Sequence, residues 1–106
     1  MLRHIVMWNF KEEAMGRTKA ENMARVKASL EALVGVVPSL RGMEVGMAVT
    51  HGEMHYDMAL ISLFDDLDGL EAYKVHPAHR AVSDFVSRVR LERVTCDYFT
   101  GDEKTP

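Results

Sequence analysis

Tyr73 and His79 flank a His76-Pro77 step in the stretch Tyr73-Lys74-Val75-His76-Pro77-Ala78-His79. Proline suits a first helical turn and pushes its predecessor out of the helical region, so the helix carrying Tyr73 gives way to a new one starting at Pro77. His79 then falls in the first turn of that new helix. Free backbone N–H groups and the positive end of the helix dipole disfavour imidazolium there. A neutral imidazole takes a proton from an activated carbon, and a tyrosine hydroxyl hydrogen-bonds a carbonyl that is becoming an enolate. Together they suit a cofactor-independent enzyme acting on a carbonyl compound. The same two residues also have a structural reading. In that reading His79 caps a helix or holds the loop, while Tyr73 fills core with its hydroxyl at the rim.

His4 is the next candidate. On an N-terminal strand it shares parity with Val6 and Trp8, and so points where a helix-covered cavity would lie. Its bland alternative is a satisfied buried histidine. His76 and His79, three residues apart, have no third ligand nearby and Pro77 disturbs their geometry, so no metal site is expected. His51 and His55 flank a hairpin and read as solvated. No phosphate loop, dinucleotide fingerprint or nucleophile elbow is present, and no cofactor is expected.

The elements that must hold these residues follow from hydrophobic period. Leu2 to Phe10 is rich in strand formers. Lys11 to Arg17 is polar and reads as a loop. Thr18, with Glu21 three residues on, makes a capping box for a helix whose stripe is Met23, Val26, Leu30, Leu33 and Val34, with Gly35 following its end. Met43 to Thr50 and Asp57 to Phe64 are strands around a hairpin loop. Asp65 or Asp66 caps a second helix with Leu67, Leu70 and Tyr73 inward. The third helix turns Val82, Phe85, Val86 and Val89 to one side, and Glu92 to Phe99 is the last strand. The order is βαββααβ, an α+β chain with a four-stranded antiparallel sheet over residues 1–100, followed by a polar tail over 101–106.

The 106 residues make one domain, 47% hydrophobic and 27% charged, with a formal charge of -3. That balance offers no footprint for nucleic acid or an anionic membrane. No apolar run approaches the ~20 residues of a membrane span, and no signal peptide is evident. A cytoplasmic protein is expected. The lone Cys96 excludes an internal disulfide or a cysteine-based zinc site. Met58-Ala59-Leu60-Ile61-Ser62-Leu63-Phe64 is apolar at both parities, whereas a sheet with one wet face alternates. Three helical stretches cover only one face of four strands, so a second copy packed sheet to sheet is expected on the other.

His4-Ile5-Val6-Met7-Trp8-Asn9-Phe10-Lys11, Asp57 to Phe64, Leu70 to His79 and Arg90 to Tyr98 resemble the stress-responsive α/β-barrel (Dabb) family over nearly the whole chain. The Tyr-x-x-His-Pro-x-His stretch is the most specific part. The resemblance implies a ferredoxin-like monomer that pairs into a dimeric α+β barrel. The family holds plant stress-induced proteins and an enzyme, olivetolic acid cyclase, that closes a polyketide ring by aldol condensation. By that resemblance Tyr73 and His79 match a catalytic pair, and His4, Val26, Leu30 and Leu60 line a pocket. Asp97 matches a pocket-side acid able to orient His79, or else partners His4. Arg90, Arg93 and Thr95 stand where the cyclase presents apolar side chains, so a different ligand, a small carbonyl or carboxylate compound, is expected. Arg90 is expected to face outward. The alternatives are a non-catalytic stress protein whose stable oligomer is its function, or a cofactor-free monooxygenase on the same barrel.

Overall fold

Strict alternation opens the chain. Along β1 (Leu2–Phe10) the even-numbered residues Leu2, His4, Val6, Trp8 and Phe10 are buried and those between them half-buried, as a period of two requires of a strand with one well-covered face. The computed structural model describes residues 1–100, and the tail expected over 101–106 lies outside the described residues. After β1 come β2 (Glu13–Ala14), β3 (Arg17–Thr18), α1 (Lys19–Glu31), β4 (Gly42–Met47), β5 (Met58–Phe64), α2 (Leu67–Val75), α3 (Pro77–Val89) and β6 (Arg90–Phe99). The long strands form one antiparallel sheet in the order β4-β5-β1-β6. Val26 and Leu30 of α1, Leu70 and Tyr73 of α2, and Val86 and Val89 of α3 pack with Val6, Leu60 and Phe64 in one core. This is the ferredoxin-like α+β arrangement.

Local chemistry sets the helix starts as the sequence indicates. The Thr18 hydroxyl accepts from the Glu21 N–H at 3.2 Å, and Glu21 Oε1 accepts from the Thr18 N–H at 3.0 Å. Asp66 caps α2 through the Gly69 N–H at 2.8 Å. The ends differ more. α1 stops at Glu31 instead of running through Val34. The chain then tightens, with the Leu33 carbonyl accepting from both Val36 and Val37 N–H, a path that uses the left-handed φ of 86° at Gly35. Leu33 and Val37 remain buried, whereas Val34 is turned outward.

Two expected loop boundaries also shift. The polar segment from Lys11 to Arg17 holds the two-residue strands β2 and β3. Met15 and Gly16 both have positive φ between them, the pattern of a type I′ turn. Buried Asn22 of α1 donates to the Ala14 carbonyl at 3.0 Å and pins this hairpin to the helix. β4 ends at Met47, short of Thr50, although the Ala48 N–H still donates to the Asp57 carbonyl at 2.9 Å, and Asp57 also joins β1. The Asp57 N–H donates to the Trp8 carbonyl, and its carboxylate accepts from the Phe10 N–H, both at 2.9 Å.

Among the described residues no helix covers the other sheet face. Register places Ile5 beside Ile61 and Cys96, and Met7 beside Ala59 and Val94, so this face is mainly apolar. Among the described residues no helix is long and apolar enough to cross a membrane.

Candidate functional site

The α2–α3 junction is one residue wide. His76 ends α2 and caps α3, with extended backbone at φ -64° and ψ 133°, where the following proline drives it. Its Nδ1 accepts from the Ala78 N–H at 3.1 Å, which commits that nitrogen to the backbone. The sharp step folds His79 back against the last turn of α2. His79 Nδ1 lies 3.3 Å from the Lys74 carbonyl oxygen, and the His79 and Tyr73 rings sit 4.1 Å apart at 42°. A neutral His79 that donates Nδ1–H to Lys74 keeps Nε2 as an acceptor. Burial pulls the His79 pKa below its ordinary value, and the charges of His4, Arg93 and His76 add to this; the Lys74 carbonyl opposes it. His79 is therefore poised as a neutral base.

Tyr73 is 1% exposed, stacked obliquely on Phe64 with ring centres 5.0 Å apart. Burial raises its pKa, with the Arg93 charge opposing, so its hydroxyl stays a proton donor. That hydroxyl and Trp8 Nε1 are both buried and neither has a hydrogen-bond partner among the described residues. Leaving a buried donor unpaired costs about 1–3 kcal/mol. Both side chains line one cavity of about 290 Å³ between β1, β6 and the helices, near the small end of the volumes typical of ligand pockets.

His4, Val6, Leu30, Leu60 and Arg93 line this cavity with Tyr73, Trp8 and His79. Two of the expected residues do not. Val26 is fully buried in the core beside it. Asp97 binds His4 Nδ1, not His79, because His4 and Asp97 are direct cross-strand partners in the β1–β6 register. The carboxylate thus orients His4, itself buried and cavity-lining.

Arg90 corrects an expectation. Pairing runs regularly from Leu2–Phe99 to Trp8–Arg93, then jumps to Phe10–Arg90. One extra residue on β6 makes a bulge there. Residues three apart on a regular strand face opposite ways, but the bulge restores a common direction. Arg90 therefore lines the cavity with Arg93 instead of pointing outward.

Ser83 and Ser87 of α3 also line it. Their spacing of four residues beside the Val82–Val86 stripe was the available signal, hidden because serines on an amphipathic helix read as its wet side. Among the described residues no group of three or more His, Cys, Asp and Glu is placed to hold a metal.

Comparison with known proteins adds three findings. The family model of the stress-responsive A/B barrel domain matches residues 2–100. An uncharacterised protein of Streptomyces coelicolor is 36% identical over 81 residues, covering 76% of this chain and 81% of the relative. Among solved structures, a dimeric ferredoxin-like protein of unknown function from Bacteroides fragilis is 29% identical, with a TM-score of 0.73 over 92% of this chain and 93% of that one. A hydroxynitrile lyase from Passiflora edulis gives a TM-score of 0.79 at 14% identity, over 98% of this chain and 96% of the lyase. At that identity the likeness is one of fold.

Proposed function

This chain belongs to the stress-responsive A/B barrel domain family, and from that premise we propose that it binds a small carbonyl compound between sheet and helices and acts on it as a cofactor-independent cyclase or lyase. The observation that carries the reading is the pair of unpartnered buried donors, Tyr73 Oη and Trp8 Nε1, in one cavity with a histidine held neutral. A bound carbonyl oxygen gives the Tyr73 hydroxyl its missing acceptor. His79 Nε2 takes a proton from the carbon next to that carbonyl. The C–H electron pair becomes the enolate double bond, the carbonyl π pair moves to oxygen, and the Tyr73 O–H···O⁻ hydrogen bond strengthens as that charge develops. The proton returns from His79 to the product. His4, fixed by Asp97, presents its remaining ring nitrogen as a second polar group.

The same reading has the chain working as a homodimer closed over the open sheet face, where Ile5, Met7, Ala59 and Ile61 otherwise meet water. The Bacteroides fragilis relative, itself dimeric, supports it. A cytoplasmic setting agrees with the single exposed cysteine.

The test is an NMR and thermal-shift titration with small ketones, aldehydes and oxo acids in deuterated water, using the parent chain, His79→Ala and Tyr73→Phe. The expected result is binding together with exchange of the α-proton for deuterium. Exchange should be lost in His79→Ala and strongly slowed in Tyr73→Phe, with both folds intact by circular dichroism. Failure of every compound to bind, with His79→Ala losing stability instead, would leave a stress protein whose oligomer is its function.

A further inference from the structure

The β6 bulge puts two guanidinium groups where a regular strand would place one. Arg90 and Arg93 both line the cavity, and among the described residues no Asp or Glu lines it with them. Elsewhere many of the cations have carboxylate partners: Lys19 with Glu12, Lys27 with Glu31, Arg41 with Asp65, Lys74 with Glu71 and Arg88 with Asp84. Arg90 reaches only the neighbouring Leu91 carbonyl, at 3.1 Å. Arg93 has no hydrogen-bond or ion-pair partner among the described residues. In a chain whose formal charge is -3, half-buried Arg90 and exposed Arg93 bring two guanidinium groups without carboxylate partners to one cavity that also holds two unpartnered buried donors.

We propose that Arg90 and Arg93 form an anion subsite at the mouth of the cavity, so that its ligand is an oxo acid, with the carbonyl at Tyr73 and His79 and the carboxylate on the arginines. This deepens the carbonyl reading above and rests on it. The guanidinium fork matches a carboxylate's two oxygens, and charge-assisted hydrogen bonds of that kind are stronger than neutral ones. Arg90 and Arg93 line the same cavity of about 290 Å³ as Tyr73 and His79, so one small molecule can meet both ends. A bound carboxylate also offsets that charge, and should raise the His79 pKa in the complex.

The experiment is calorimetric and NMR titration of pyruvate, levulinate, butyrate and butanone into the parent chain, Arg93→Gln, Arg90→Gln and the control Arg88→Gln. Levulinate or pyruvate should bind the parent more tightly than either butanone or butyrate, and added salt should weaken the carboxylates but not butanone. Arg93→Gln and Arg90→Gln should weaken oxo-acid binding by about tenfold or more, weaken butanone far less, and abolish the rise in the His79 pKa on binding. Arg88→Gln should match the parent. Unchanged oxo-acid binding in both cavity variants would overturn the anion subsite while leaving the carbonyl reading standing. Butyrate binding as tightly as levulinate would likewise overturn the two-point ligand. If the parent binds neither butanone nor any oxo acid, the carbonyl reading itself falls and this inference with it.

Discussion

Under the helices, the β1–β5 half of the sheet is closed: Val6, Met58, Leu60 and Phe64 are each 2% exposed or less. One strand over, β6 has no buried residue. Arg93, Thr95 and Asp97 share a face with Trp8, Val6 and His4 by register, yet remain exposed. The backbone ladder runs through both halves, broken in the β6 half at the bulge between Trp8 and Phe10, and over the regular stretch the difference comes from side chains. Alternating apolar residues draw helices down because burial is favourable in proportion to apolar area. A strand offering charge and hydroxyl cannot do so without stranding unpaired polar groups. The cavity forms where one regime meets the other, and Tyr73, Trp8 and His4 stand on that boundary.

The largest effect that tests this contrast is on stability. Phe64→Ala, in the closed half, should cost about 3–5 kcal/mol in urea unfolding, whereas Thr95→Ala on β6 should stay within about 0.5 kcal/mol of the parent. Equal costs would erase the distinction. Next comes the wall over the closed half: Thr18→Ala removes the α1 capping box and should cost about 1 kcal/mol, leaving ligand affinity unchanged.

The pH dependence sharpens the boundary. Burial lowers the His79 pKa in the folded chain, so the unfolded chain binds that proton more readily. Its contribution to stability is therefore complete above the ordinary histidine pKa of about 6.5 and is lost as pH falls through the lower folded value. Urea midpoints measured from neutral to mildly acid pH should fall more steeply for the parent than for His79→Gln. A proton transfer that needs neutral His79 should fade over the same interval. The smallest stability change belongs to Tyr73→Phe. It deletes a buried hydroxyl that has no partner among the described residues, so stability should be unchanged or slightly higher while carbonyl binding weakens. A large loss of stability would mean that the hydroxyl already has a structural partner.

Much of this was legible early, for reasons that can be named. Helix starts at Thr18, Asp66 and Pro77 depend on hydrogen bonds within three residues or on proline's fixed geometry, so nearby chain suffices. Ends were less legible. β4 stops at Met47 instead of Thr50, and the bonds of Asp57 to Trp8 and Phe10 join segments far apart in the chain, so no local pattern carries that contact. The Tyr73–His79 pairing was readable for the same local reason as the Pro77 break. For Asp97 the sequence left two partners open, His79 or His4, and the choice depends on which residue register sets opposite Asp97.

The sequence by itself determined the order of the four long strands and three helices, the alternating burial of β1 and β5, and the break that brings Tyr73 and His79 together, because these follow from periods of two and 3.6 and from one proline. It missed the β2–β3 hairpin and turned Leu67 inward, where the structure leaves it exposed. The tertiary structure alone decided that Arg90 joins Arg93, that Asp97 serves His4, and that the Trp8 and Tyr73 donors are left without partners. Each of those depends on the offset between strands distant in the chain, and a single inserted residue in β6 reverses which face a side chain sees.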